Sequence, residues 1–255
     1  MTTFVLVHGS WHGAWCWRKV LPLLEAADHR AIAIDLPGHG ADSMDPKTVT
    51  LEDYASRIAS VIDKQPDPVV LVGHSMGGAA ITRAAELCPD RIRLLVFLAA
   101  FAPYDGCSIA DQALEDQDSL LQGNLLLDPA SGQAVLKESI IAECFYNDCS
   151  SEDIEFAQKK LCADPLEPLI SPVLQSDSRA RKVPRVYVEC LQDRAITPGQ
   201  QRRVQKAFDW AEIYSLETGH SPFFSRPNEL CACLLRSLNC ARGNEDEADP
   251  ALRMA

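Results

Sequence analysis

Four consecutive apolar residues, Val69-Val70-Leu71-Val72, run without a break into Gly73-His74-Ser75-Met76-Gly77-Gly78, and a helix-forming stretch follows to about Leu87. A G-x-S-x-G turn between an apolar strand and a helix forces its serine into a strained backbone conformation. It works only where the flanking residues lack bulk, so that strand and helix can approach closely. The serine hydroxyl then projects from the sheet edge, with the positive end of a helix behind it. This makes Ser75 the candidate nucleophile, and the N–H of Met76 a candidate donor to an oxyanion.

The surrounding pattern says what kind of sheet that strand joins. Short apolar runs at 4–7, 31–34, 69–72, 94–98, 186–188 and 213–216 read as strands. Helical stretches at 18–27, from 51 to about 62, to about 87, and 228–238 alternate with them. Thr50 followed by Asp53 is a capping box, and Leu51, Tyr54, Ile58, Val61 and Ile62 share one face of the helix it opens. Strands alternating with helices give an α/β fold, a mostly parallel sheet flanked by helices. Residues 104–182 break the rhythm. They show helical patches and no clear strand, and they hold fifteen acidic against six basic residues. The reading is a core of 1–103 and 183–242, a helical cap over 104–182, and a polar acidic tail, 243–255, without fixed structure.

A serine hydroxyl needs a base at neutral pH, and the base needs a carboxylate to fix its tautomer. Of six histidines, His220 lies just after the last strand in Thr218-Gly219-His220-Ser221-Pro222, where a loop can carry an imidazole over Ser75. His8, His12 and His39 read as holding loops, His74 as packing, and His29 as exposed. Asp193, after the strand near 186–188, lies between nucleophile and histidine in the chain; Asp105 is the rival position, and the strand order favours Asp193. Asp35 reads as an acid capping amides in a tight turn. The second oxyanion donor is assigned to the Ser10 N–H in His8-Gly9-Ser10-Trp11, where Gly9 leaves room for substrate and Trp11 is a candidate pocket wall.

With a formal net charge of −12, the surface repels phosphate backbones and anionic lipid, so neither nucleic acid nor membrane is an expected partner. The start Met1-Thr2-Thr3 has no basic leader region, which points to the cytoplasm and to reduced thiols for the ten cysteines. No C-x-x-C pair suggests a metal, and none is expected.

The runs Phe4-Val5-Leu6-Val7-His8-Gly9-Ser10-Trp11-His12-Gly13-Ala14-Trp15-Cys16-Trp17 and Asp35-Leu36-Pro37-Gly38-His39-Gly40, residues 73–78, Asp193 with Pro198, and Gly219-His220 resemble the plant methylesterase and hydroxynitrile lyase group. They equally resemble its bacterial esterase relatives, which include pyrethroid hydrolases. The resemblance spans the core and is weak across the cap. It implies the α/β-hydrolase fold, no cofactor, small-molecule carboxylic ester substrates, and homodimers, which are common in the group. The lyases carry a threonine where this chain has Gly9 and a lysine where it has Ser221, so cyanohydrin cleavage lacks its ammonium here. The expectation is a serine carboxylesterase acting on neutral, fairly apolar esters through an acyl-enzyme. The alternatives are a ligand-binding receptor of the same fold and lyase-type chemistry.

Overall fold

The computed structural model describes residues 1–242, so the expectation for 243–255 lies outside the described residues. Six parallel strands form the main sheet: β1 (Thr3–Val7), β2 (Arg30–Ile34), β3 (Val69–His74), β4 (Ile92–Leu98), β8 (Arg185–Cys190) and β9 (Glu212–Leu216). Their order is β2-β1-β3-β4-β8-β9. The strands β3 and β8 are buried at every residue, β3 with the apolar run Val69–Val72 and β8 with Arg185 and Glu189 among its apolar residues, as strands covered on both faces should be.

Side-chain alternation divides the core in two. Val5, Val7, Val69 and Leu71 pack with α2 (Leu51–Ile62) and α3 (Gly77–Leu87). Phe4, Leu6, Val70 and Val72 face the other way, toward the turn Ala14–Lys19, α1 (Leu21–Ala26) and α10 (Pro227–Arg242). The helix expected over 18–27 begins later, because a 3-10 turn occupies 14–19 and Pro22 sits in the first turn of α1. The capping box is formed: Thr50 Oγ1 accepts from Asp53 N–H, and the Asp53 carboxylate accepts from Thr50 N–H at 2.8 Å.

Between β4 and β8 the chain makes helices α4 (Ile109–Leu114), α5 (Ile141–Phe145), α6 (Ser151–Gln158) and α7 (Glu167–Ile170). It also makes a small antiparallel sheet, β5 (Leu125–Asp128), β6 (Gln133–Leu136) and β7 (Asp164–Pro165). These strands have two to four residues each, too short for an alternation readable in sequence. Two helices, α8 (Pro198–Ala207) and α9 (Pro222–Ser225), complete the fold. Among the described residues no helix is long and apolar enough to cross a membrane.

Register levels the strand ends. Val7 pairs with Gly73, His74 with Leu98, Leu98 with Val188, and Val188 with Tyr214. The loops after β1, β3, β4, β8 and β9 therefore leave one edge of the sheet together.

Candidate active site

Ser75 stands at that edge with φ +55°, the left-handed region that costs a residue with a Cβ about 1 kcal/mol or more. The turn survives because its surroundings fix it. Ser75 N–H donates to Leu98 O, and Ser75 O accepts from Gly78 and Phe101 N–H. A Cβ on Gly73 would lie 2.6 Å from Gly77 O, so only glycine lets the helix start there. A Cβ on Gly9 would lie 2.7 Å from Ser75 Cβ, which shows how closely the loop after β1 passes the serine.

His220 and Asp193 meet. His220 Nδ1 donates to Asp193 Oδ2 at 2.7 Å, with both side chains almost fully buried. The other carboxylate oxygen accepts from Ala195 and Ile196 N–H at 2.8 and 3.0 Å, and Gln201 Nε2 approaches Oδ2 at 3.3 Å. Asp105, the rival, is exposed and accepts from Gln175 N–H, far from this network in its contacts.

No hydrogen bond joins the Ser75 hydroxyl to His220 in this structure. Shared neighbours, His74 and Phe145, link them instead. His74, next to Ser75, donates from Nε2 to His220 O at 2.9 Å, and the two rings lie 4.5 Å apart. Phe145 packs 5.5 Å from the His220 ring and lines the same cavity as Ser75. His74 thus does more than pack. Burial pushes its pKa well below the usual histidine range, so the ring is neutral and keeps its single N–H for that carbonyl.

The loop after β1 is fixed bond by bond. Ser10 O accepts from His12 Nδ1 at 2.7 Å, and His12 Nε2 accepts from the Tyr146 hydroxyl at 2.8 Å. Burial lowers the His12 pKa to about 4, consistent with that neutral tautomer. Trp11, at φ +62°, donates its N–H to Asp164 Oδ1, while its carbonyl accepts from Cys162 N–H. The same Asp164 oxygen accepts from His39 Nε2, with both side chains fully buried. His8 donates from Nδ1 to Gly9 O and accepts from Leu36 N–H. Asp35 accepts from Ala14 and Ala41 N–H, the capping role expected of it. Ser10 and Met76 N–H have no acceptor among the described residues, which leaves both donors available beside Ser75.

The cavity against Ser75 is small, about 50 Å³. Ser10, Trp11 and Phe101 line it from one side, and Ile109, Leu121, Leu125 and Leu169 from the segment inserted between β4 and β8; no lining side chain carries a charge. Trp11 is therefore a wall of this cavity, with its indole N–H tied to Ala134 O at 3.0 Å. Asp164, Phe145 and Tyr146 are contributions that sequence reasoning missed. His29, expected exposed, is half-buried, accepts from Thr2 N–H and meets Phe4 edge to face.

Residues 4–232 match the alpha/beta hydrolase family. The chain is 36% identical to pheophorbidase from Raphanus sativus, across 92% of this chain and 94% of that one. Among solved structures it superposes on a methylesterase from Arabidopsis with TM-score 0.80 and 30% identity, covering 94% of this chain and 99% of the other. A pyrethroid hydrolase from Sphingobium faniae gives TM-score 0.80 at 25% identity, covering 93% and 97%.

Proposed function

We propose, from the premise that this chain belongs to the alpha/beta hydrolase family and is a carboxylic ester hydrolase of its methylesterase-like group, that it cleaves neutral, apolar esters with Ser75 as nucleophile. His220 removes the Ser75 proton as Oγ attacks the ester carbonyl. The oxyanion that forms is stabilised by the Ser10 and Met76 N–H groups. His220 then gives its proton to the leaving alkoxide, and the acyl-enzyme remains. A water deprotonated by the same imidazole attacks that acyl group, and Ser75 regains its proton. Asp193 keeps Nδ1 protonated, so that Nε2 carries the lone pair.

The observation that carries this reading is the buried Asp193–His220 pair beside a serine in the left-handed conformation. A ground-state Ser75–His220 bond is not required, because catalytic hydrogen bonds often tighten only once substrate is bound. The cavity supports the substrate class: with no charged side chain in its wall, a carboxylate or ammonium entering it loses hydration without a partner. The acidic insertion adds a Coulomb cost for polyanionic esters.

The test is a fluorophosphonate probe together with a panel of p-nitrophenyl esters. The wild type is labelled at Ser75, and Ser75→Ala loses labelling and on the order of 10⁴-fold or more in kcat. Near-normal ester cleavage by Ser75→Ala removes the proposal, and preference for a dianionic ester over a neutral one removes its substrate class.

A further inference from the structure

At the opposite edge of the sheet from Ser75, the first residue of β8 is an arginine with its side chain inside the protein. Arg185 is 5% exposed. Arginines buried to that degree are normally paired with a carboxylate, because an uncompensated guanidinium is costly to desolvate. Among the described residues no carboxylate oxygen lies within 4 Å of it. One of its five N–H donors has a protein acceptor, Nη2 to Ala180 O at 3.2 Å, and the Phe208 ring lies 5.3 Å from its central carbon. Burial pulls its pKa down to about 10, Arg181 nearby pulls the same way, and Asp209 partly opposes both.

Arg185 opens onto a pocket of about 230 Å³ lined also by Arg181, Lys206, Ala207, Phe208 and Asp209. Three cations and one carboxylate converge there, on a chain whose overall charge is −12. Arg181 is partly committed to Asp177 at 2.9 Å, whereas Arg185 and Lys206 have no ion-pair partner among the described residues. With Asp177 counted against Arg181 and Asp209 included, one positive charge remains in excess, and the two cations without an ion-pair partner, Arg185 and Lys206, suit a phosphate anion. A planar guanidinium with unmatched donors suits phosphate oxygens, and Lys206 adds a point charge. The pocket holds several times the ~30 Å³ share of one liquid water, so a bare ion leaves space against the Phe208 ring.

We propose that this pocket is a binding site for a phosphate-bearing small molecule, with Arg185 as its buried anchor and Lys206 and Arg181 at its mouth. It is separate from the ester-cleaving site and does not depend on the roles assigned there.

Thermal unfolding and Trp210 fluorescence, the indole that packs on Phe208, report occupancy. The probes are inorganic phosphate and phenyl phosphate, each against sodium chloride at matched ionic strength. The expected result is a saturable rise in Tm for the wild type. Arg185→Met abolishes it with ester hydrolysis within about twofold of wild type, Lys206→Ala weakens Kd about threefold or more, and Asp209→Asn strengthens it. Tighter binding of phenyl phosphate assigns the site to an organic phosphate, and equal binding to the free ion. General stabilisation by excluded phosphate acts on all variants alike, so the difference between variants is what counts. No saturable response in the wild type, or a response unchanged in both Arg185→Met and Lys206→Ala, overturns the proposal. Should Arg185→Met not fold, the exposed positions 206 and 209 still decide it.

Discussion

His220 Nδ1 and Asp193 Oδ2 lie 2.7 Å apart in a space closed to solvent, and the carboxylate's other oxygen is taken by two backbone amides. The acid cannot rotate away without abandoning those amides, so the imidazole inherits its orientation from the loop that follows β8.

Asp193→Asn keeps the shape and removes the acceptor that fixes the tautomer. We expect kcat to fall about 10³–10⁴-fold with KM changed little, measured on a p-nitrophenyl ester at pH 7.5. A fall of less than about tenfold contradicts the role given to Asp193.

Asp164→Ala removes the acceptor for Trp11 N–H and for His39 at once. The Ser10–Trp11 peptide then keeps only its bond from His12, with Trp11 still held through Cys162 and Ala134, and the adjoining Ser10 N–H, the proposed oxyanion donor, is less firmly placed. The expected loss is about tenfold or more in kcat, with an accompanying drop in Tm from the unpaired buried His39. An unaltered kcat in a folded Asp164→Ala protein shows that Asp164 supports the loop for stability alone.

Gly9→Ala places a methyl group 2.7 Å from Ser75 Cβ. Relief requires moving either the serine turn or the loop after β1. The variant should be destabilised by about 1–3 kcal/mol in urea unfolding and lose most of its esterase activity. Wild-type activity in this variant contradicts the close approach.

The buried histidines make stability depend on acid. His12 is lowered to about 4, and His8 and His74 lie well below their ordinary value, all mainly through burial. In the unfolded chain these rings bind protons near pH 6.5, whereas in the folded chain they do not. The unfolded state therefore takes up more protons as pH falls below 6.5, and stability is full above that value and lost toward pH 4. For His12 the full loss is about 3 kcal/mol. Tm measured from pH 7.5 to 4.5 should fall steadily below 6.5, and a flat profile contradicts the burial of neutral rings.

Much of the site is readable in sequence because its parts are local signals. Ser75 is marked by a strand, two glycines and a helix within ten residues, and Asp193 and His220 each follow a strand in the order the sheet demands. His8, His12 and His39 hold loops as their neighbours suggest. What sequence does not carry is pairing over distance. Trp11 meets Asp164 across 153 positions and His12 meets Tyr146 across 134, and neither acid nor phenol has a local pattern that names its partner. The three-stranded sheet of the insertion is hidden for a related reason: a two-residue strand such as Asp164–Pro165 exists only through what it pairs with.

The bonds from Cys162 and Asp164 to Trp11 mean that the insertion is not an interchangeable lid. Grafting the corresponding segment of another hydrolase onto this core would reshape the pocket and, in the same stroke, withdraw the struts beneath the loop that holds the proposed oxyanion donor. Chimeras should then inherit specificity from the donor only when they also inherit an acid at the strut position. That couples the evolution of substrate choice to the evolution of rate.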